Sequence, residues 1–110
     1  MPIITHTLTL DPEGPRIPIA IRIYAPEAYE LGWRCRYEID WPDEPKVFYG
    51  GGVDELQALV MALFMIGAEI YSTDYHRDGR LRAYETEEGY GFPLAKSLRD
   101  MLVGVDAVAF

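Results

Sequence analysis

Cysteine is almost absent from this sequence, and basic residues are few. A single cysteine, Cys35, excludes an intramolecular disulfide and a zinc site built on several thiolates, which is typical of a reducing compartment. The 10 Lys and Arg against 18 Asp and Glu leave a net charge of -8, so the average field repels nucleic acid and anionic membranes. We therefore expect a cytoplasmic protein that binds neither.

Long hydrophobic runs and targeting signals are also missing. The most apolar stretch, residues 58–68 (ALVMALFMIGA), is shorter than the roughly 20 residues that a membrane-spanning helix needs. Residues 1–10 show no basic segment followed by an apolar one, so we expect no signal peptide. The two histidines lie in no local metal-binding or catalytic motif. No catalytic residue, metal or cofactor is predicted.

Alternating segments dominate the first half of the chain. The 110 residues, 49% of them apolar, are typical of one globular domain. Residues 3–10, 17–24, 33–41 and 46–49 alternate apolar and polar side chains or are rich in β-branched ones, as half-buried strands do. Their connections are short, with residues 26–32 predicted to be a loop, so the strands should form an antiparallel meander. Residues 80–86 fit a fifth strand.

A long helix is predicted for Glu55–Tyr71. Asp54 is suited to the N-cap and Gln57 can complete a capping box. One apolar stripe at helical spacing should cover the sheet: Leu56, Leu59, Val60, Leu63, Ile66, Gly67 and Ile70.

The opposite side of the helix is apolar too, and it needs a second cover. Its residues are the predicted dimer face: Met61, Phe64, Met65 and Ala68. The cover is either another subunit or the C-terminal segment, where Pro93 can begin a short helix and Gly104 can end it. The predicted fold class is α+β, with four or five antiparallel strands, the long helix on one face and this short C-terminal helix.

The segment DYHRDGRLRAYE, residues 74–85, matches the calcium-loop pattern D-x-[DN]-x-[DN]-G-x5-E except at the third position, where His76 stands. Arginines within the segment cancel the charge of Asp74, Asp78 and Glu85, and the glycines and proline that follow leave no exit helix. A turn at Asp78 and Gly79 is therefore the preferred interpretation. Calcium binding is a remote alternative.

Aromatic side chains are concentrated after the long helix. Tyrosine combines a large apolar area with a polar hydroxyl, which suits both interfaces and ligand pockets. The alternative is that these residues attach loops to the core. A general acid or base among His76, Asp74 and Glu85 is a further alternative. The candidate residues for the ligand or interface site are Tyr71, Asp74, Tyr75, His76, Tyr84, Tyr90 and Phe92.

The segment YGGGVDELQALVMALFMIGAEIY, preceded by RCRYEIDWP, resembles small bacterial domains of unknown function in which a strand leads through glycine and an aspartate cap into a D-x-x-Q-A-L helix. The resemblance covers about the middle half of the chain. It implies a fold and no activity.

The preferred functional prediction is a non-enzymatic protein–protein interaction module, homodimeric through the helix or the aromatic loops. Excess apolar surface on the helix and the poverty of catalytic groups support it. The acidic charge is compatible with an immunity or antitoxin-like protein. The alternative is a small enzyme or ligand-binding protein whose pocket uses Tyr71, Asp74, Tyr75 and His76.

Overall fold

The fold is α+β: the residues that the structure describes form a six-stranded antiparallel sheet, one long helix and short helices. A computed structural model describes residues 1–84 and 88–110, with the side chains of residues 97–99 outside the description. The strands are β1 (Ile4–Leu10), β2 (Ile17–Ile23), β3 (Glu27–Tyr29), β4 (Gly32–Ile39), β5 (Lys46–Gly52) and β6 (Leu81–Arg82). The helices are α1 (Glu55–Tyr71), α2 (Asp74–Arg77), a 3₁₀ helix (Lys96–Met101) and α3 (Gly104–Ala109).

The four predicted strands form the predicted meander. The sheet order is β3-β4-β2-β1-β6, and β5 pairs with the other side of β4. Strand β4 pairs with β5 along its length, from Trp33 opposite Gly52 to Ile39 opposite Lys46. Strand β6 pairs with the end of β1, where Leu10 lies opposite Leu81. Of the predicted fifth strand at residues 80–86, the part at residues 85–86 lies outside the described residues.

The predicted strand count of four or five is wrong, because β3 lies in the segment that the sequence indicates to be a loop. All of its residues are exposed, so no alternation of apolar and polar side chains marks it. Cross-strand contacts with β4 hold it instead. The Arg34 guanidinium donates to Glu27 Oε1 at 2.8 Å and lies 5.3 Å from the centre of the Tyr29 ring.

Residue contacts divide the chain into two compact units, residues 1–7 with 19–63 and residues 8–18 with 64–110. The first unit buries the inward side of β2 and β4 and two alanines of α1: Ile19, Ile21, Ile23, Cys35, Tyr37, Ile39, Trp41, Ala58 and Ala62. The second unit buries Leu8, Leu10, Ile66, Ile70, Tyr71, Leu81, Tyr90, Phe92, Leu94, Leu102 and Asp106.

The N-terminus of α1 is capped as predicted. The Gln57 N–H donates to Asp54 Oδ1 at 2.8 Å, and Gln57 Oε1 accepts from the Val53 N–H at 2.7 Å. The first bond satisfies a backbone donor that a helix start leaves unpaired, so the helix begins at Glu55. The second differs from a capping box, because the Gln57 side chain accepts from the residue before the N-cap and not from Asp54.

The predicted buried stripe of α1 is wrong over the first half of the helix. Leu56 and Val60 are exposed, whereas Ala58 and Ala62 are buried. The cause lies in β5, where Gly50 has no side chain, so the helix backbone at Ala62 approaches the strand directly. Such close packing selects the small residues of the helix for its buried side, against the preference of the larger apolar ones for burial.

The C-terminal segment of the same chain covers the second half of α1. Gly67 lies against the carbonyl of Pro93, and Leu94 is buried. The short C-terminal helix predicted from Pro93 is a 3₁₀ helix that begins only at Lys96. The prediction that Gly104 ends a helix is wrong: it is the first residue of α3, with a φ of 58° that glycine adopts without strain.

Arginines and carboxylates alternate on the polar side of β2 and β4. The Arg22 guanidinium donates to Glu38 Oε1 at 2.9 Å and to Asp40 Oδ2 at 2.8 Å. These hydrogen bonds lower the pKa of both carboxyl groups. Cross-strand ion pairs therefore join β2 and β4 on this side of the sheet.

Candidate functional site

Three of the predicted aromatic and histidine residues meet in the second unit. His76 Nδ1 lies 2.6 Å from the Tyr90 hydroxyl. The ring of Tyr71 stands edge-on to both, with centroids 4.7 Å from His76 and 5.3 Å from Tyr90. Thr73 positions the histidine, since its hydroxyl accepts from the His76 N–H at 3.1 Å and caps α2. We call Tyr71, His76 and Tyr90 the aromatic cluster.

A buried carboxylate that the sequence analysis missed holds this cluster together. Asp106 in α3 is fully buried, and its carboxylate accepts a hydrogen bond of 2.7 Å from the Tyr71 hydroxyl. It also accepts the backbone N–H groups of Tyr90 at 2.8 Å and Gly91 at 2.7 Å. The signal that could have revealed it is an isolated acidic residue in the apolar segment VDAVAF. The last segment of the chain therefore folds back onto the end of α1.

Burial controls the protonation of the aromatic cluster. It raises the pKa of Tyr90 to about 12 and that of Tyr71 further, with the hydrogen bond to Asp106 adding to the effect. Burial lowers the pKa of His76, against the opposing influence of Glu88. At neutral pH the cluster therefore presents protonated hydroxyls and a neutral imidazole, which can donate and accept hydrogen bonds but include no phenolate nucleophile.

A small cavity of about 150 Å³ adjoins His76 and Tyr90, with Arg82 and Glu88 among its lining residues. Pockets for organic ligands commonly enclose roughly 300–1,000 Å³. The cavity therefore has room for little more than a few water-sized groups. The arrangement supports a structural polar network better than a site for an organic substrate.

The other predicted site residues differ from one another in exposure and in partners. Asp74 is exposed and pairs with Arg77 at 2.7 Å. Tyr75 is half-buried, with the Arg80 guanidinium 5.3 Å from its ring centre. Tyr84 is exposed and Phe92 is buried in the core.

The preferred turn interpretation of residues 74–85 agrees with the backbone. Residues Asp74–Arg77 form one helical turn, and Gly79 follows with a φ of 70°. The calcium alternative also needs Glu85, which lies outside the described residues. Within the described part of the chain, no three His, Cys, Asp or Glu side chains are grouped to hold a metal ion.

Cys35 is a buried hydrogen-bond donor. Its Sγ lies 3.2 Å from the Tyr24 carbonyl oxygen, and burial raises the pKa of the thiol. A thiol of raised pKa is a poor nucleophile.

Family comparison gives the chain its place among known proteins. The chain belongs to the family described as domain of unknown function (DUF6968), whose model matches residues 4–94. No curated protein and no solved structure matches the chain. Among the described residues, no helix has the length and apolarity needed to cross a bilayer.

The buried imidazole predicts a pH dependence of stability. Because the folded state lowers the pKa of His76, the unfolded chain binds a proton more readily, so the contribution of His76 is lost as pH falls below about 6.5. We expect the difference in melting temperature between the wild type and His76→Gln to shrink from pH 8 to pH 5. Thermal scans across this range measure it. A constant difference between the two proteins would contradict the prediction.

Proposed function

We propose that this protein is a non-enzymatic protein–protein interaction module that forms a homodimer through strand β5 and the first half of α1. The carrying observation is the edge of β5. Among the described strands, β5 pairs only with β4, so its other edge presents backbone donors and acceptors. Open edges of this kind pair readily with another strand.

Exposed apolar side chains surround this edge. Leu31 is 83% exposed, Val53 81% and Leu56 70%. They belong to adjoining segments, because Gly32 lies against the Gly52 carbonyl and Gly52 lies against the start of α1. We define the α1 apolar surface as Leu31, Val53, Leu56, Val60 and Met61. Several exposed large apolar side chains beside an open strand are a feature of interaction sites.

The sequence of β5 complements itself. Its first half carries the large side chains of KVFY and its second half is GGG. Two copies paired antiparallel about Tyr49 would place Phe48 of each opposite Gly50 of the other. The same pairing places Lys46 of each copy opposite Gly52 of the other, two residues before Asp54, whose charge is opposite. These features favour a second copy of the chain as the occupant.

The predicted dimer face contributes in part to this proposal. Met61 is exposed, whereas Phe64, Met65 and Ala68 are half-buried. The proposed interface therefore lies nearer the start of α1 than the sequence pattern indicates.

Light scattering after size exclusion tests the proposal. We expect the wild type to have the mass of a dimer at micromolar concentration. Phe48→Glu and Leu56→Glu should each give a monomer, because a carboxylate would be desolvated in the interface. Val108→Glu is the matched control, since Val108 is exposed and lies outside the proposed surface. A monomeric wild type, or dimeric Phe48→Glu and Leu56→Glu proteins, would overturn the proposal.

We also propose that the 110 residues fold as one domain, because β1, β2 and α1 each continue from one compact unit into the other.

A cytoplasmic location is part of the proposal as well. It is supported by the single, buried cysteine, which suits a reducing compartment.

A further inference from the structure

A groove in the second unit carries a concentration of arginine that is unusual for so acidic a chain. Its volume is about 780 Å³, within the range of organic ligand pockets. Residues of the turn after β1 form one side and residues around β6 form the other. Arg16, Arg80 and Arg82 line it, together with Asp11 and Tyr84.

Two of these guanidinium groups are available for an anion. Arg80 is committed to Asp11, with bonds of 2.8 and 2.7 Å to the two carboxylate oxygens. Within the described part of the chain, Arg16 and Arg82 donate to main-chain carbonyls, Arg16 to Pro12 at 2.8 Å and Arg82 to Leu81 at 3.0 Å. Neither forms an ion pair with a carboxylate of the described residues, in a chain of net charge -8.

The turn that carries Arg16 is held in a strained conformation. Asp11 and Arg16 have φ values of 53° and 54°, a region that side chains other than glycine rarely adopt. The Asp11 carbonyl accepts from the N–H groups of Gly14 at 3.0 Å and Arg16 at 3.1 Å, and the Asp11 N–H donates to the Arg80 carbonyl at 2.8 Å. Backbone strain maintained by such bonds is concentrated at binding sites, where it fixes the position of a functional group.

From these observations we propose that the groove binds a small organic molecule through an oxyanion, phosphate or carboxylate, held by Arg16 and Arg82. The planar guanidinium donates two parallel hydrogen bonds to either group. Tyr84 is exposed at the groove and offers a ring face and a hydroxyl to the remainder of the ligand.

Amide NMR spectra of the full chain, titrated with pyrophosphate and separately with citrate, test the proposal. Sodium chloride at equal ionic strength is the reference, because it reproduces screening without an oxyanion. We expect saturable shifts in residues 11–16 and 79–84 at concentrations up to roughly 10 mM. A response to pyrophosphate alone assigns a phosphate ligand, and a response to citrate alone assigns a carboxylate.

Variants separate the site from general attraction of anions. Arg16→Gln and Arg82→Gln should each weaken binding roughly tenfold or more, since a charged hydrogen-bond partner is lost. Arg82→Lys should fall between wild type and Arg82→Gln, because it keeps the charge without the two parallel donors. Arg77→Gln removes an exposed arginine outside the groove and should bind as the wild type does.

Two results would overturn the inference. In the first, pyrophosphate and citrate give no saturable shift beyond that of sodium chloride. In the second, Arg16→Gln and Arg82→Gln bind the probes as tightly as the wild type does. The test is independent of dimer formation, since the groove uses none of the residues of the α1 apolar surface. A monomeric Phe48→Glu protein should still bind the probe, and Arg82→Gln should keep the dimer mass.

Discussion

Replacing Gly50 by alanine should lower the free energy of unfolding by about 2–3 kcal/mol, the cost typical of overpacking a rigid contact. A Cβ at this position would overlap the Ala62 nitrogen and lie 2.8 Å from the Ala58 carbonyl oxygen. Both are backbone atoms of α1, so no side-chain rotation relieves the clash. The helix itself would have to move away from β5, and buried contacts of the first unit would be lost.

Gly51→Ala is the matched control. It changes the neighbouring residue of the same strand, where an added Cβ would have its nearest contact at 4.0 Å, with the Trp33 carbonyl oxygen. This variant should remain within about 0.5 kcal/mol of the wild type or be slightly more stable, because alanine restricts the unfolded chain. Urea unfolding and calorimetry measure both variants, and calorimetry also shows whether the chain unfolds in one transition. Equal stability of the two variants would contradict the proposed close packing.

Removing the Asp106 carboxylate should be the most damaging change in the second unit. Asp106→Ala leaves the Tyr71 hydroxyl and the N–H groups of Tyr90 and Gly91 without their buried acceptor. Each unsatisfied buried donor costs about 1–3 kcal/mol, so we expect a loss of at least about 3 kcal/mol. Residues 104–110 should also become sensitive to proteolysis, since this carboxylate is their principal polar attachment to the end of α1.

Conservative variants show which hydrogen bonds account for the loss of stability on removing the Asp106 carboxylate. Asp106→Asn keeps the shape but presents an NH₂ group to one set of donors, so its cost should be intermediate. Tyr71→Phe removes one hydroxyl and should cost about 1 kcal/mol. Asp100→Ala, at an exposed position, should be close to neutral. If Asp106→Ala unfolded at the same urea concentration as Asp100→Ala, the hydrogen-bonded role of Asp106 would be refuted.

The exposed surface of α1 illustrates why a hydrophobic pattern located the helix but not its buried side. A pattern of apolar residues reports which side chains gain by leaving water, and Leu56 and Val60 satisfy it as well as Ala58 and Ala62 do. The glycines of β5 determine which side of α1 is buried, because the helix backbone can approach them closely only where the helix residues are small. The sequence alone does not state which strand the helix will meet.

The candidate site shows the same division. Of the residues that the sequence suggested for a ligand or interface site, the structure brings Tyr71, His76 and Tyr90 together. Their organising group, Asp106, is 35 residues from Tyr71 in the chain, and no local pattern connects the two. The groove lined by Arg16 and Arg82 likewise joins segments that only the fold brings together.

The sequence by itself determined the features that depend on local interactions. Alternation with a period of two located β1, β2 and β4, and the hydrogen bond from the Gln57 N–H to Asp54 Oδ1 placed the start of α1 at the predicted residue. These features depend on interactions between residues close in the chain. Tertiary structure alone decided the strand β3, the buried side of α1 and the partners of Asp106, because each depends on contacts between distant segments whose meeting no local preference specifies.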